Sequence, residues 1–162
     1  MRLYKIEYKN YTKTGVQYLI DNKHITLFNM LLPREKFDFK TFLVRLYFIF
    51  ISGSNVEIYF VLNNNLEIIH TSYVVGKCYK FPFMKKTDIE IGPCHTKENY
   101  RGKGIYKNVL NFINNKYCEK KRNAYMIVDE NNIPSIKGIE GVGFKVDGTV
   151  KKSKLFKIYR RV

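Results

Sequence analysis

The stretch Glu98-Asn99-Tyr100-Arg101-Gly102-Lys103-Gly104-Ile105-Tyr106 carries residue types that can bind an anion. Two glycines one residue apart let a backbone approach a ligand closely. An amphipathic run opens inside the stretch, with Ile105, Val109, Leu110, Phe112 and Ile113 on one helical face. The free N–H groups of a first helical turn point at a ligand placed there, and Arg101 and Lys103 add full charges to that partly positive end. The chemistry expected is a phosphate or pyrophosphate cradle between a strand and a helix. Spacing excludes two common cradles. A Walker loop needs four residues between its glycines and a Gly-Lys-Ser/Thr ending, and here Ile105 follows Gly104. A dinucleotide fingerprint needs a third glycine where Lys107 stands. The plain alternative is a solvated turn capping an ordinary helix.

Ahead of the cradle, Thr87 to Thr96 alternates like a strand, with Ile89 and Ile91 facing one way and Asp88, Glu90 and Gly92 the other. Glu90 and Asp88 are carboxylates on an otherwise apolar strand ahead of a bulge, a pattern that suits a functional role, and a solvated strand face accounts for them equally well. His70 and Tyr73, on a neighbouring run, are further candidates, because a histidine titrates in the useful range. Pro93 cannot donate to a ladder, so the strand must bulge or part from a neighbour near it. The cysteines, Cys78, Cys94 and Cys118, are odd in number and fit no zinc spacing, so no metal is expected. Cys94 reads as a small apolar residue before it reads as a nucleophile. Asn131 or Asn132, with Pro134 just behind, spells a helix N-terminus.

Arg101-Gly102-Lys103-Gly104-Ile105 resembles the acyl-CoA pyrophosphate loop of the GNAT superfamily of N-acyltransferases, which reads Gln/Arg-x-x-Gly-x-Gly/Ala. Tyr106 stands where Gly or Ala is usual. A second segment is similar to the same superfamily: Asn132, then Ser135 three positions on, then Gly143-Phe144 at eleven and twelve. The resemblance covers residues 55 to 160. It implies an acetyl-CoA-dependent N-acetyltransferase acting on a small acceptor with a primary amine. By this resemblance Cys94, His95, Thr96, Arg101, Gly102, Lys103, Gly104, Ile105, Tyr106, Asn132 and Ser135 hold the acyl donor, with a backbone N–H near Cys94 as oxyanion donor. Glu90, six residues before Thr96, stands where some members carry the base, with Asp88 beside it. The usual acid, a tyrosine seven residues after the asparagine, is Ile139 here. Tyr106 is the nearest substitute, with water as the alternative. A looser likeness lies in Phe81-Pro82-Phe83-Met84, Ile91-Gly92-Pro93-Cys94 and Gly104-Ile105-Tyr106. It points to the subset associated with surface-polysaccharide assembly, and so to an amino sugar on a nucleotide carrier.

The elements that must position these residues follow from pattern and punctuation. Leu3 to Tyr8, Val56 to Leu62, Leu66 to Val75 and Tyr125 to Val128 read as strands, Asn63-Asn64-Asn65 as a hairpin turn, and 76–86 as a loop. A helix runs from Gly104 to about Arg122, and a short one from near Pro134 to Gly143. Phe144 to Val150 and Leu155 to Tyr159 close as a hairpin, and Ser52-Gly53-Ser54-Asn55 as a turn. Residues 9 to 54, with Leu27 to Leu32 broken by Pro33 and an aromatic run from Phe37 to Ile51, read as helices. With no linker or repeat, residues 1–162 read as one α/β (α+β) domain with a mixed, mostly antiparallel central sheet flanked by helices, GNAT-like and splayed at the strand ending near Thr96. The start alternates like a strand and Phe42 to Ile51 is too short to span a bilayer, so a cytoplasmic protein with reduced thiols and no membrane span is expected. The formal charge of +15 calls for an anionic partner, with coding bias toward Lys, Asn, Ile and Tyr as the second reading. No RNA-binding or helix-turn-helix pattern accompanies the charge, so no nucleic acid is expected. A homodimer is compatible with the sequence. Two other functions stay open: a catalytically degenerate fold that binds CoA or a partner, motivated by Ile139, and a basic nucleic-acid-binding protein.

Overall fold

The computed structural model describes residues 1–8, 18–26, 29–32, 35, 37–52, 56–154 and 157–162. Eight strands, β1 (Arg2–Ile6), β2 (Ile20–His24), β3 (Val56–Leu62), β4 (Ile68–Gly76), β5 (Ile89–Thr96), β6 (Ala124–Val128), β7 (Lys145–Lys152) and β8 (Tyr159–Arg161), lie in the order β2-β3-β4-β5-β6-β1-β7-β8. Every described pairing is antiparallel except that of β5 with β6. The helices are α1 (Phe39–Ser52), α2 (Ile105–Glu119) and α3 (Ile133–Glu140).

The sheet has an apolar layer on each face. On one side α2 and α3 bury Ile105, Val109, Leu110, Ile113, Ile136 and Ile139 against Ile89, Ile91 and Tyr59. These are the residues that the helical spacing of 105–113 assigns to one stripe. On the other side α1 sets Phe48 and Ile49 on Ile58, Phe60 and Val75, and the β4–β5 loop adds Phe81 and Met84. Ile89 and Ile91 therefore face α2, and Glu90 faces the second layer.

The expected irregularity at Pro93 is present in two forms. Cys94 pairs with Ser72 and Ile91 with Val74, so Tyr73 alone opposes Gly92 and Pro93, which is a bulge. The parallel ladder to β6 holds only Ile89↔Ala124 and Glu90↔Tyr125. Beyond Glu90 the two strands part, and the edge of β5 that faced β6 has no strand partner, leaving backbone groups open to an added chain.

Among the described residues of 9 to 54, part differs from the expectation of helices, while 9–17 lie outside the described residues. Helix α1 is there, but Ile20–His24 is a strand paired with β3. Its segment Ile-Asp-Asn-Lys-His buries only Ile20, because an edge strand needs one backbone partner and little apolar pattern. Leu27, Pro33, the core of the 52–55 turn and Leu155 lie outside the described residues. The last strand is described as Tyr159–Arg161.

Candidate active site

The two-glycine turn lies between a strand and a helix, where the sequence places it. After β5 a single 3-10 turn, Glu98–Tyr100, leads to Gly102 and Gly104, both with backbone φ near +75° (74° and 76°). That left-handed conformation is strained for a side chain, which explains glycine at both positions. Gly104 caps α2, leaving the first-turn N–H groups free of any side-chain cap. The loop is braced from several elements. The Tyr18 hydroxyl donates to the Lys103 carbonyl at 2.8 Å. The Arg101 Nε donates to the Thr96 carbonyl at 3.2 Å, and the Asn63 amide donates to the Tyr100 hydroxyl at 2.9 Å. Lys103 Nζ stands 5.0 Å from the Tyr100 ring centre.

A cleft of about 670 Å³ opens from this loop between α2, α3 and the freed end of β5. Cys94, His95, Thr96, Arg101, Gly102, Gly104, Ile105, Tyr106, Asn132 and Ser135 line it, so ten of the sequence-predicted residues meet in one place. Lys103 does not line it; its carbonyl is held by Tyr18 instead. Tyr100, Lys107, Pro134, Lys137 and Gly138 line it as well and were not foreseen. Pro134 and Lys137 sit on the α3 turns that Asn132 opens, a signal the capping pattern contained. Asn132 accepts from the Ser135 backbone N–H at 3.3 Å, so it does serve as an N-cap.

Tyr106 takes space that Gly138 leaves: a Cβ at 138 would stand 2.7 Å from its ring. Burial raises the Tyr106 hydroxyl well above the usual phenol range, with the charges of Cys94 and Glu90 adding to the effect. It therefore stays protonated. Ile139, where the family's tyrosine was expected, is buried in the core at 1% exposure. Burial likewise pushes the Cys94 thiol up to about 12 and keeps it a neutral thiol.

The carboxylates lie elsewhere. Glu90 and Asp88 do not line the cleft, and neither is on a solvated face: they are 7% and 1% exposed. Asp88 precedes β5, where it accepts from the Lys85 N–H at 2.8 Å and the Asn123 amide at 3.1 Å. Those bonds tie the β4–β5 loop to the start of β6 and correct the expectation of a free carboxylate one pleat from Glu90. Glu90 sits at the point where β5 leaves β6, on the sheet face opposite the cleft. Burial raises its pKa to about 8, with the charge of Lys80 opposing the rise. His70 is buried, with one ring nitrogen 2.7 Å from Thr96 Oγ1 and the other 2.8 Å from Ser72 Oγ. Burial lowers its pKa to about 4, with His95 adding to the effect, so it is a neutral bridge inside the sheet with both nitrogens occupied. Tyr73 packs on Phe48 in the second layer and accepts from buried Arg45 at 3.4 Å, away from the cleft. Among the described residues no cluster of His, Cys, Asp and Glu could hold a metal, and no helix is long and apolar enough to cross a membrane.

The fold is that of the GNAT acetyltransferases. A GNAT-family acetyltransferase from Colwellia psychrerythraea superposes with a TM-score of 0.62 at 13% identity, over 90% of this chain and 52% of its own. A GCN5-related N-acetyltransferase from Sphaerobacter thermophilus gives 0.58 at 12%, over 90% and 47%. A phosphinothricin acetyltransferase from Sinorhizobium meliloti, solved with AcCoA, gives 0.55 at 21%, over 75% and 64%. The chain thus spans about half to two thirds of the length of these structures. No family model and no curated protein matches the sequence.

Proposed function

We propose that the protein is an acetyl-CoA-dependent N-acetyltransferase that acts on a primary amine. The observation that carries this reading is the coincidence of two features. A glycine-cradled cleft ends on the unpaired edge of β5, and a buried carboxyl stands at the same split on the opposite face. The pyrophosphate lies on the Gly102–Gly104 turn and the N-terminus of α2. The pantetheine arm runs between β5 and α3, past Asn132 and Ser135, and its thioester reaches the bulge at Gly92–Cys94. From the other side the amine approaches Glu90.

Glu90 takes the proton of the ammonium, directly or through water. A base titrating near 8 is suited to that transfer at neutral or mildly basic pH. The neutral amine attacks the thioester carbonyl, and backbone N–H groups at the bulge stabilise the oxyanion. As the tetrahedral intermediate collapses, the nitrogen gives its second proton to solvent, the C–S bond breaks, and the thiolate takes a proton from Tyr106, the cleft-lining donor proposed, which solvent then reprotonates. The products are the acetamide and free CoA. His95, Thr96, Arg101 and Lys103 orient or steer the donor. An amino sugar on a nucleotide carrier is the specific acceptor proposed, and the fold acts in the cytoplasm as a single domain. The degenerate alternative rests on Ile139, which carries no hydroxyl; Tyr106, packed over Gly138, is the hydroxyl proposed in place of the usual tyrosine.

The test is acetylation of an amine panel, amino sugars included, followed by mass spectrometry. Glu90→Gln is nearly isosteric and stands outside the cleft, so it should keep acetyl-CoA binding and lower turnover by roughly ten-fold or more. The deficit should shrink at high pH, where more of the amine is already neutral. Unchanged turnover in this variant would remove Glu90 from the mechanism.

A further inference from the structure

Lys80 in the β4–β5 loop is 8% exposed, and among the described residues its ammonium lies against four aromatic rings. Nζ lies 5.2 Å from the ring centre of Tyr47, 5.4 Å from Phe48, 5.6 Å from Phe81 and 5.8 Å from Tyr159. The cage is built by three separate parts of the chain: α1, the loop itself, and β8, whose Tyr159 N–H donates to the Lys80 carbonyl at 2.9 Å. Lys152 lies against the same Tyr159 ring at 5.6 Å. Among the described residues no carboxylate comes within ion-pair distance of Lys80. The charge of Lys80 reaches Glu90, which is itself buried, whose carboxyl makes no hydrogen bond among the described residues, and which lies beside Gly92.

A buried ammonium and a buried carboxyl thus share one side of the sheet without forming an ion pair among the described residues. Cation–π contacts offset part of the cost of burying the ammonium, yet an apolar residue of similar volume would cost the fold less. The arrangement suits a ligand of the complementary polarity. We propose, on the reading that β5 is the site of transfer, that the acceptor amine also carries an anionic group, a phosphate or a carboxylate. Lys80 receives that anion while the amine lies toward Glu90. Exposed Lys77, Lys85 and Lys86 on the same loop raise the local concentration of anions. A diamine would set its second positive charge against Lys80 and be rejected.

The experiment titrates three small amines into the full chain saturated with CoA and again into the chain without it. The probes are O-phosphoethanolamine, β-alanine and ethanolamine, and the readouts are calorimetry and thermal shift. At least one anionic amine should bind about ten-fold or more tightly than ethanolamine, with affinity falling as salt rises. The phosphate and carboxylate arms tell which anion is preferred. Lys80→Met should abolish the preference without lowering the melting temperature of the free protein, whereas Lys80→Arg should keep most of it. Equal binding of all three probes, or a preference that survives Lys80→Met, would overturn the proposal. Failure of CoA itself to bind would instead sink the acetyltransferase reading, and the titrations without CoA would still decide the anion preference.

Discussion

At Glu90 burial does two things at once: it raises the pKa to about 8 and it makes the fold sensitive to pH. The folded chain holds this proton above the ordinary glutamate value of 4.5, so between about 4.5 and 8 it binds more protons than the unfolded chain does. The stabilisation is fully present below 4.5 and is lost as pH rises through 8. Its slope is at most about 1.4 kcal/mol per pH unit for one proton. Denaturant melts of wild type and Glu90→Gln from pH 5 to 9 should therefore diverge, the variant gaining relative stability as pH rises. Parallel profiles would show that Glu90 is solvated. Sequence alone left this residue even with a surface carboxylate. Alternation in 87–96 shows which face Glu90 is on but not what covers that face. The layer on that side is built by Phe81 and Met84 from a loop and by Phe48 and Ile49 from α1, a helix far off in sequence. Lys80 was invisible for the same reason, since its cage draws rings from 47, 48, 81 and 159.

The elements were more legible where local chemistry decides them. Gly102 and Gly104 marked a turn that opens a helix, Pro93 forbade a continuous ladder, and Asn132 with Pro134 wrote a helix start; all three appear in the structure, the glycines with positive φ. Strand β2 was not legible, because Asp21, Asn22 and Lys23 carry no apolar alternation and the strand exists through its pairing with β3. The junction of α2 and α3 is another long-range outcome. Tyr106 packs where a side chain at 138 would collide with it, so Gly138 positions the hydroxyl proposed to protonate the leaving thiolate. Gly138→Ala should push the Tyr106 ring aside and lower turnover by about ten-fold, as should Tyr106→Phe. Both should remain folded by circular dichroism, since α3 accepts alanine readily. If neither change slows turnover in stopped-flow release of CoA, the thiolate takes its proton from water.

For the whole molecule, the formal charge of +15 acts as a long-range field rather than as a fold determinant. On the proposed function it would draw a pyrophosphate to the cleft, and on the proposed acceptor chemistry an anionic amine to Lys80. The central claim is that the cleft binds acetyl-CoA through the Gly102–Gly104 turn. The most direct measurement is isothermal titration of acetyl-CoA into the protein at about 0.15 M salt, a strength that screens loose surface attraction. Wild type should bind one equivalent with saturable heat. Gly104→Glu should abolish it, because a side chain there is strained at φ +76° and its carboxylate would meet the pyrophosphate. Binding that survives Gly104→Glu, or no binding by wild type at millimolar acetyl-CoA, would contradict the account.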